Sequence, residues 1–138
     1  MKLFLDANVL FTAAYSENGI SRNLFLLADA GRCSLVTSAY AADEARRNLL
    51  VKAPAAVAVF DGLLKKVSLV KEPASATVLR MTKLPLVDKD APIMAAAVEA
   101  RADVLVTGDR KDFDHLFGTA VEGVVVLMPV EALERVLY

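Results

Sequence analysis

The segment from Asp88 to Asp114 places the tightest constraint on what this chain can fold into. It reads Asp88-Lys89-Asp90-Ala91-Pro92-Ile93-Met94, an alanine-rich run, and then Ala102-Asp103-Val104-Leu105-Val106-Thr107-Gly108-Asp109-Arg110-Lys111-Asp112-Phe113-Asp114. Asp90 suits an N-cap, where a carboxylate accepts from the first free N–H groups, and Pro92 falls in the opening turn, where a missing donor costs nothing. Ile93, Ala96, Ala97 and Ala100 recur at helical spacing, and Met94, Ala95 and Val98 leave little polar face beyond Glu99 and Arg101, so this helix is expected to be largely buried. Val104-Leu105-Val106 has the continuous apolar character of an interior parallel strand, and Thr107-Gly108-Asp109 breaks it. An acid at a helix start and another just past a strand end can meet at one edge of a parallel sheet, the edge where α/β folds keep their sites.

The rest of the chain alternates in the same way. Leu3-Phe4-Leu5 is a strand candidate ending at Asp6, which is either a cap on the segment after it or a functional acid. Ser16 to Gly19 is a polar turn, and Ile20, Leu24, Leu27 and Ala28 mark a helix that Gly31 can close in a left-handed conformation. Cys33 to Thr37 is the second strand, with Ser38 as N-cap of a helix that turns Ala41, Ala45 and Leu49 inward. In that helix Glu44 sits at the border of the buried stripe and Asp43 points about 100° away. Spacing alone favours reading Glu44 as a surface acid paired with Asn48 or Arg47 over a functional one. Pro54 opens a helix running to about Lys66, Val67 to Val70 is a third strand, Val78 to Met81 a short helix, Val124 to Leu127 a fifth strand, and Pro129 starts the last helix.

Strands alternating with helices imply one α/β domain over residues 1–138, with a parallel sheet covered on both faces. Right-handed crossovers put every strand's C-terminal end on one side. Asp6, Asp90 and Asp109 gather there if the first and fourth strands are neighbours, and Glu44 can reach in from the helix after the second.

The 56% hydrophobic content argues for a substantial core, yet no apolar run approaches the roughly 20 residues of a membrane span. The strand pattern starting at Lys2 leaves no room for a cleavable leader, and a single cysteine, Cys33, suits a reducing compartment, so a cytoplasmic protein is expected. The balance of 16 basic and 17 acidic residues does not by itself point to a polyanion. If several acids share one cleft, however, the remaining surface is mildly basic, and Arg46, Arg47, Arg110 and Lys111 are candidates for nucleic-acid contact or simply for a solvated face.

Four carboxylates without matching bases repel one another and drive each other's pKa upward, and a divalent cation relieves this. Mg²⁺ or Mn²⁺ prefers such oxygen ligands and supports phosphodiester chemistry without a protein nucleophile. Asn8 and Thr107, short and polar beside the acids, could hydrogen-bond to ligating carboxylates or serve their turns. A lone histidine, His115, cannot build a His-rich zinc site, and no Gly-rich phosphate loop is present.

Phe4-Leu5-Asp6-Ala7-Asn8-Val9-Leu10, Asp43-Glu44, Lys89-Asp90-Ala91-Pro92-Ile93 through Ala97, and Ala102 through Phe113, in this order and at this spacing, resemble a PIN-domain ribonuclease. The resemblance implies a three-layer α/β/α sandwich with a five-stranded parallel sheet of order 3-2-1-4-5. It also implies Mg²⁺- or Mn²⁺-dependent cleavage of single-stranded RNA by water. Carried over motif by motif, the implied catalytic residues and metal ligands are Asp6, Glu44, Asp90 and Asp109, with Asp112 as a fifth acid in some members and Phe113 as a packing anchor. Many small members are toxins held by a cognate antitoxin, and many form homodimers. Two departures stand out: Ala7 follows Asp6 where Thr or Ser is common, and Asp88 lies close enough to Asp90 to compete for its place.

Two further readings compete. A PIN-like module could bind RNA or a protein without cutting, but this chain retains all four acids. A phosphoacceptor domain needs paired acids after the first strand and an Asp after the third; Asp6 stands single, and Val67 to Lys71 is followed by none.

Overall fold

The computed structural model describes residues 1–138. Its sheet is built on two central strands that are apolar on both faces apart from Lys2 at the start of the first. β1 (Lys2–Leu5) buries Leu3, Phe4 and Leu5, and β4 (Val104–Val106) is buried throughout, as expected of interior parallel strands. They pair in parallel, Leu3 opposite Val104 and Leu5 opposite Val106. β2 (Ser34–Ser38) lies on the other side of β1 and β3 (Ser68–Val70) beyond it, at an edge where Leu69 is exposed.

The expected run of five strands needs one correction. Between β4 and the strand predicted at Val124–Leu127 lies an additional short strand, β5 (Ala120–Val121), which makes the latter β6. The sheet therefore has six strands in the order β3-β2-β1-β4-β6-β5, with β5 antiparallel to β6 and the rest parallel. Glu122 and Gly123 form the two-residue turn of this hairpin, both at positive φ (47° and 88°), the backbone that such tight turns require. The expected order 3-2-1-4-5 survives with β6 in the fifth place.

Two groups of helices cover the sheet. α1 (Ala7–Tyr15), α2 (Ile20–Asp29), α3 (Ala39–Lys52) and α4 (Val57–Leu64) pack on one another, and α8 (Pro129–Leu137) joins them against α2. α5 (Ser75–Met81) packs against α6 (Ala91–Glu99). The result is the three-layer α/β/α sandwich that the alternating pattern implied. α6 is the apolar helix anticipated from its sequence: Ala95, Ala96 and Ala97 are fully buried beside Ile93 and Met94, and their small side chains let it sit close to its neighbours. Gly31 closes the turn after α2 at φ 77°, and the Ser38 hydroxyl accepts from the Ala41 N–H at 3.2 Å at the start of α3, both as expected. No helix is long and apolar enough to cross a membrane.

Candidate metal centre

Backbone pairing carries β1 and β4 one residue past their named ends, and this sets the first part of the site. The Asp6 N–H donates to the Val106 carbonyl at 3.0 Å, and the Thr107 N–H donates to the Leu127 carbonyl at 3.0 Å. Asp6 and Thr107 are thereby fixed side by side at the C-terminal edge, where the sheet gives way to α1 and to the loop after β4. Both are buried. The Thr107 hydroxyl donates to Asp6 Oδ2 at 2.8 Å, and the Asn8 amide donates to the same oxygen at 3.1 Å and to Thr107 Oγ1 at 3.2 Å. Asp6 Oδ1 accepts from the Ala7 N–H at 2.7 Å, so Asp6 caps α1 and its side chain is held from both oxygens. Asn8 Oδ1 in turn accepts from the Gly108 N–H at 2.7 Å, stitching α1 to the β4 loop.

The second part comes from that loop and from the entry to α6. α7 (Arg110–Phe113) is a single turn whose N-cap is Asp109, with Oδ1 accepting from the Asp112 N–H at 3.0 Å. Phe113 is fully buried and anchors the turn. Asp90 departs from its expected capping role: it lies in the helical region (φ −94°, ψ −10°) at the end of a 3₁₀ turn over Asp88–Asp90, and its side chain makes no cap bond. The 3₁₀ turn explains why, since the Ala91 N–H is already satisfied by the Asp88 carbonyl. The Asp90 carboxylate is released toward the cleft, where Oδ2 is buried without a hydrogen-bond partner.

Asp6, Glu44, Asp90 and Asp109 all line one cleft of about 250 Å³, together with Asn8, Phe11, Thr12, Asn48, Lys52 and Lys89. Carboxylate oxygens of Asp90, Asp109 and Asp112 lie within 4.8 Å of one another. Glu44 is half-buried and Asp43 exposed, as their angular separation on α3 required, and Glu44 hydrogen-bonds to neither Asn48 nor Arg47. Asp88 and Asp114 are exposed and do not line the cleft.

Crowding of acids has the expected electrostatic effect. Burial, opposed by the hydrogen bonds from Thr107 and Ala7 and reinforced by the charges of Glu44 and Asp109, pushes the Asp6 carboxyl up to about 6. Burial also lifts Asp90, to about 8, helped by a hydrogen bond to Asp112 and by the charges of Asp6 and Asp112, against the pull of Lys89. Asp112 moves the other way: burial opposes its ionisation, but hydrogen bonds with Asp109 and Asp90 and the nearby Lys89 ammonium, at 3.6 Å, hold its carboxyl below the ordinary range.

The four basic candidates sit elsewhere. Arg46 forms an ion pair with Asp61 of α4, Arg47 is exposed on α3, and Arg110 and Lys111 are exposed on α7; none lines the cleft. The cations that do are Lys52 and Lys89. Lys52 was legible in principle: Glu44, Asn48 and Lys52 recur every four residues along one face of α3. Tyr40, at the start of α3, donates its hydroxyl to the Lys89 carbonyl at 3.1 Å and so braces the turn that presents Asp90.

The class these features define is a mostly parallel α/β sandwich with an acid-rich cleft at the C-terminal edge of its sheet, where such folds keep their sites. Residues 2–111 match the family described as PIN domain, and the chain belongs to that family. No curated protein is close enough in sequence to match it. Among solved structures, the fold is similar to VapBC2 from Rickettsia felis bound to a DNA fragment from their promoter, at 17% identity and a TM-score of 0.68 over 93% of this chain and 98% of that one. PAE2754 from Pyrobaculum aerophilum gives 21% identity and 0.66 over 99% and 98%. VapBC-1 from nontypeable Haemophilus influenzae gives 17% and 0.59 over 94% and 99%.

Proposed function

We propose that this PIN domain is a Mg²⁺- or Mn²⁺-dependent endoribonuclease acting on single-stranded RNA, with Asp6, Glu44, Asp90 and Asp109 as the catalytic acids and Asp112 as an accessory ligand. The observation that carries this reading is the convergence of those four carboxylates, from four separate segments, on one cleft in which a buried Asp90 oxygen has no partner. An orphaned buried carboxylate oxygen is costly unless something positive meets it. The donor set fits a hard cation, being all oxygen with no histidine or thiol. When bound, a divalent cation activates water and neutralises charge building on a phosphodiester.

The chain's own residues supply position and proton balance. Thr107 and Asn8 fix the Asp6 carboxylate, and the Asp109 cap fixes the α7 turn. Burial and the acids around it disfavour ionisation of Asp90, and a cation held by Asp90 and Asp109 would favour its carboxylate form. Retention of all four acids favours an enzyme over a module that binds without cutting.

The family resemblance and the fold shared with VapBC2 and VapBC-1 support a biological role as the toxin of a toxin–antitoxin pair. In this reading the chain works in the cytoplasm, as a homodimer neutralised by an antitoxin protein.

Cleavage of labelled single-stranded RNA in Mn²⁺ tests the reading. Asp6→Asn and Asp109→Asn should each lower the rate by about 100-fold or more while leaving the melting transition in place, and EDTA should do the same to the parent. Undiminished cleavage in either variant would overturn it.

A further inference from the structure

The face of α1 that begins at Asn8 carries a feature that the acid cleft does not use. Phe11 lines the cleft, and Tyr15, one turn further on, stacks against it with ring centroids 5.7 Å apart and planes inclined by 18°. Tyr15 is 64% exposed, so this pair leaves a large aromatic surface in water immediately outside the acidic centre. Lys52 brings its ammonium within 5.8 Å of the Phe11 centroid and lines the same cleft, as does Lys89.

We propose that the Phe11–Tyr15 pair is a stacking platform for a nucleobase of a single-stranded RNA, with Lys52 and Lys89 meeting the phosphates that flank it. The identity of the strand rests on the nuclease reading above. Aromatic faces beside cationic side chains are the usual means of holding single strands, because every base has a π-face and every link a negative charge. The surroundings favour a strand over a protein. Phe11 is the one hydrophobic residue in a cleft otherwise lined by charged and polar side chains, whereas a docking groove for a protein helix needs a continuous apolar floor. Charge complementarity points the same way: with the acids drawn together for a cation, these two lysines are the positive groups that a phosphate backbone would meet in the cleft.

The test measures binding in the full chain carrying Asp109→Asn, so that the strand stays intact. A fluorescently labelled short single-stranded RNA and the same strand with its bases removed are titrated by anisotropy at fixed salt. Tyr15→Ala should weaken binding of the intact strand by roughly ten-fold, Tyr15→Phe should hold it within about two-fold, and the base-free strand should bind weakly and be indifferent to both. Lys52→Gln should flatten the salt dependence. Tyr15 is exposed, so its replacement leaves the core untouched, and circular dichroism checks this. Equal affinity of Tyr15→Ala for the intact strand, equal binding of the base-free strand by the parent, or no RNA binding at all would overturn the platform. A ring-dependent grip on RNA in a parent chain that never cuts it would instead overturn the nuclease reading and leave the platform standing.

Discussion

The Thr107 hydroxyl donates to Asp6 Oδ2 at 2.8 Å, a bond that spans 101 positions of sequence and ties the ends of two adjacent strands. It favours the ionised form of Asp6 in a place where burial opposes it.

Thr107→Val keeps the shape and removes the hydroxyl. Asp6 should then ionise at higher pH, and the pH at which Mn²⁺ uptake is half complete should rise, by about one unit on the usual strength of a bond to a charged group. Thr107→Ser should restore the parent profile. Calorimetric titration of Mn²⁺ across a pH range of roughly 5 to 9, which brackets the shifted carboxyls, reads both.

Asp6 and Asp90 give the cation-free fold a definite pH dependence. Their carboxyls stand at about 6 and about 8 in the folded chain. Both titrate near 4 when unfolded. Between those limits the folded state binds more protons than the unfolded one, so their contribution to stability is fully present below about pH 4 and is lost as pH rises through about 6 and about 8. Melting temperature measured in EDTA should therefore drop from about pH 5 to about pH 9. Asp90→Asn should flatten the alkaline part of that decline, and excess Mn²⁺ should cancel most of it.

The buried face of α6 sets a packing limit. Ala96 is fully buried, and Ala96→Leu forces extra volume into a helix that owes its close approach to alanine. A loss of about 1–3 kcal/mol is expected, seen as a lower urea midpoint with an unchanged slope.

Much of this architecture is legible in the residues alone. The limits of β4 follow from three apolar residues between Asp103 and Thr107, and the helical angle between Asp43 and Glu44 correctly sends one out and the other toward the cleft. Local patterns are blind where geometry depends on a single turn or on packing between distant elements. The β5–β6 hairpin rests on a two-residue β5 and a Glu122-Gly123 turn, too short for any period to register. Asp90 looks like a cap for α6 because nothing in the sequence distinguishes an N-cap from the last residue of a 3₁₀ turn. Spacing along α3 puts Lys52 on the same face as Glu44, but its approach to Phe11, like that of Tyr40 to Lys89, depends on how α3 packs on its neighbours.

The central claim is that acids from the two strand ends, from α3 and from the α6 entry share one cation. A crystal grown with Mn²⁺ and measured at its absorption edge tests it most directly. The account predicts an anomalous peak in the cleft about 2.1 Å from carboxylate oxygens of Asp90 and Asp109. A well-ordered cleft with no peak at millimolar Mn²⁺ would contradict it.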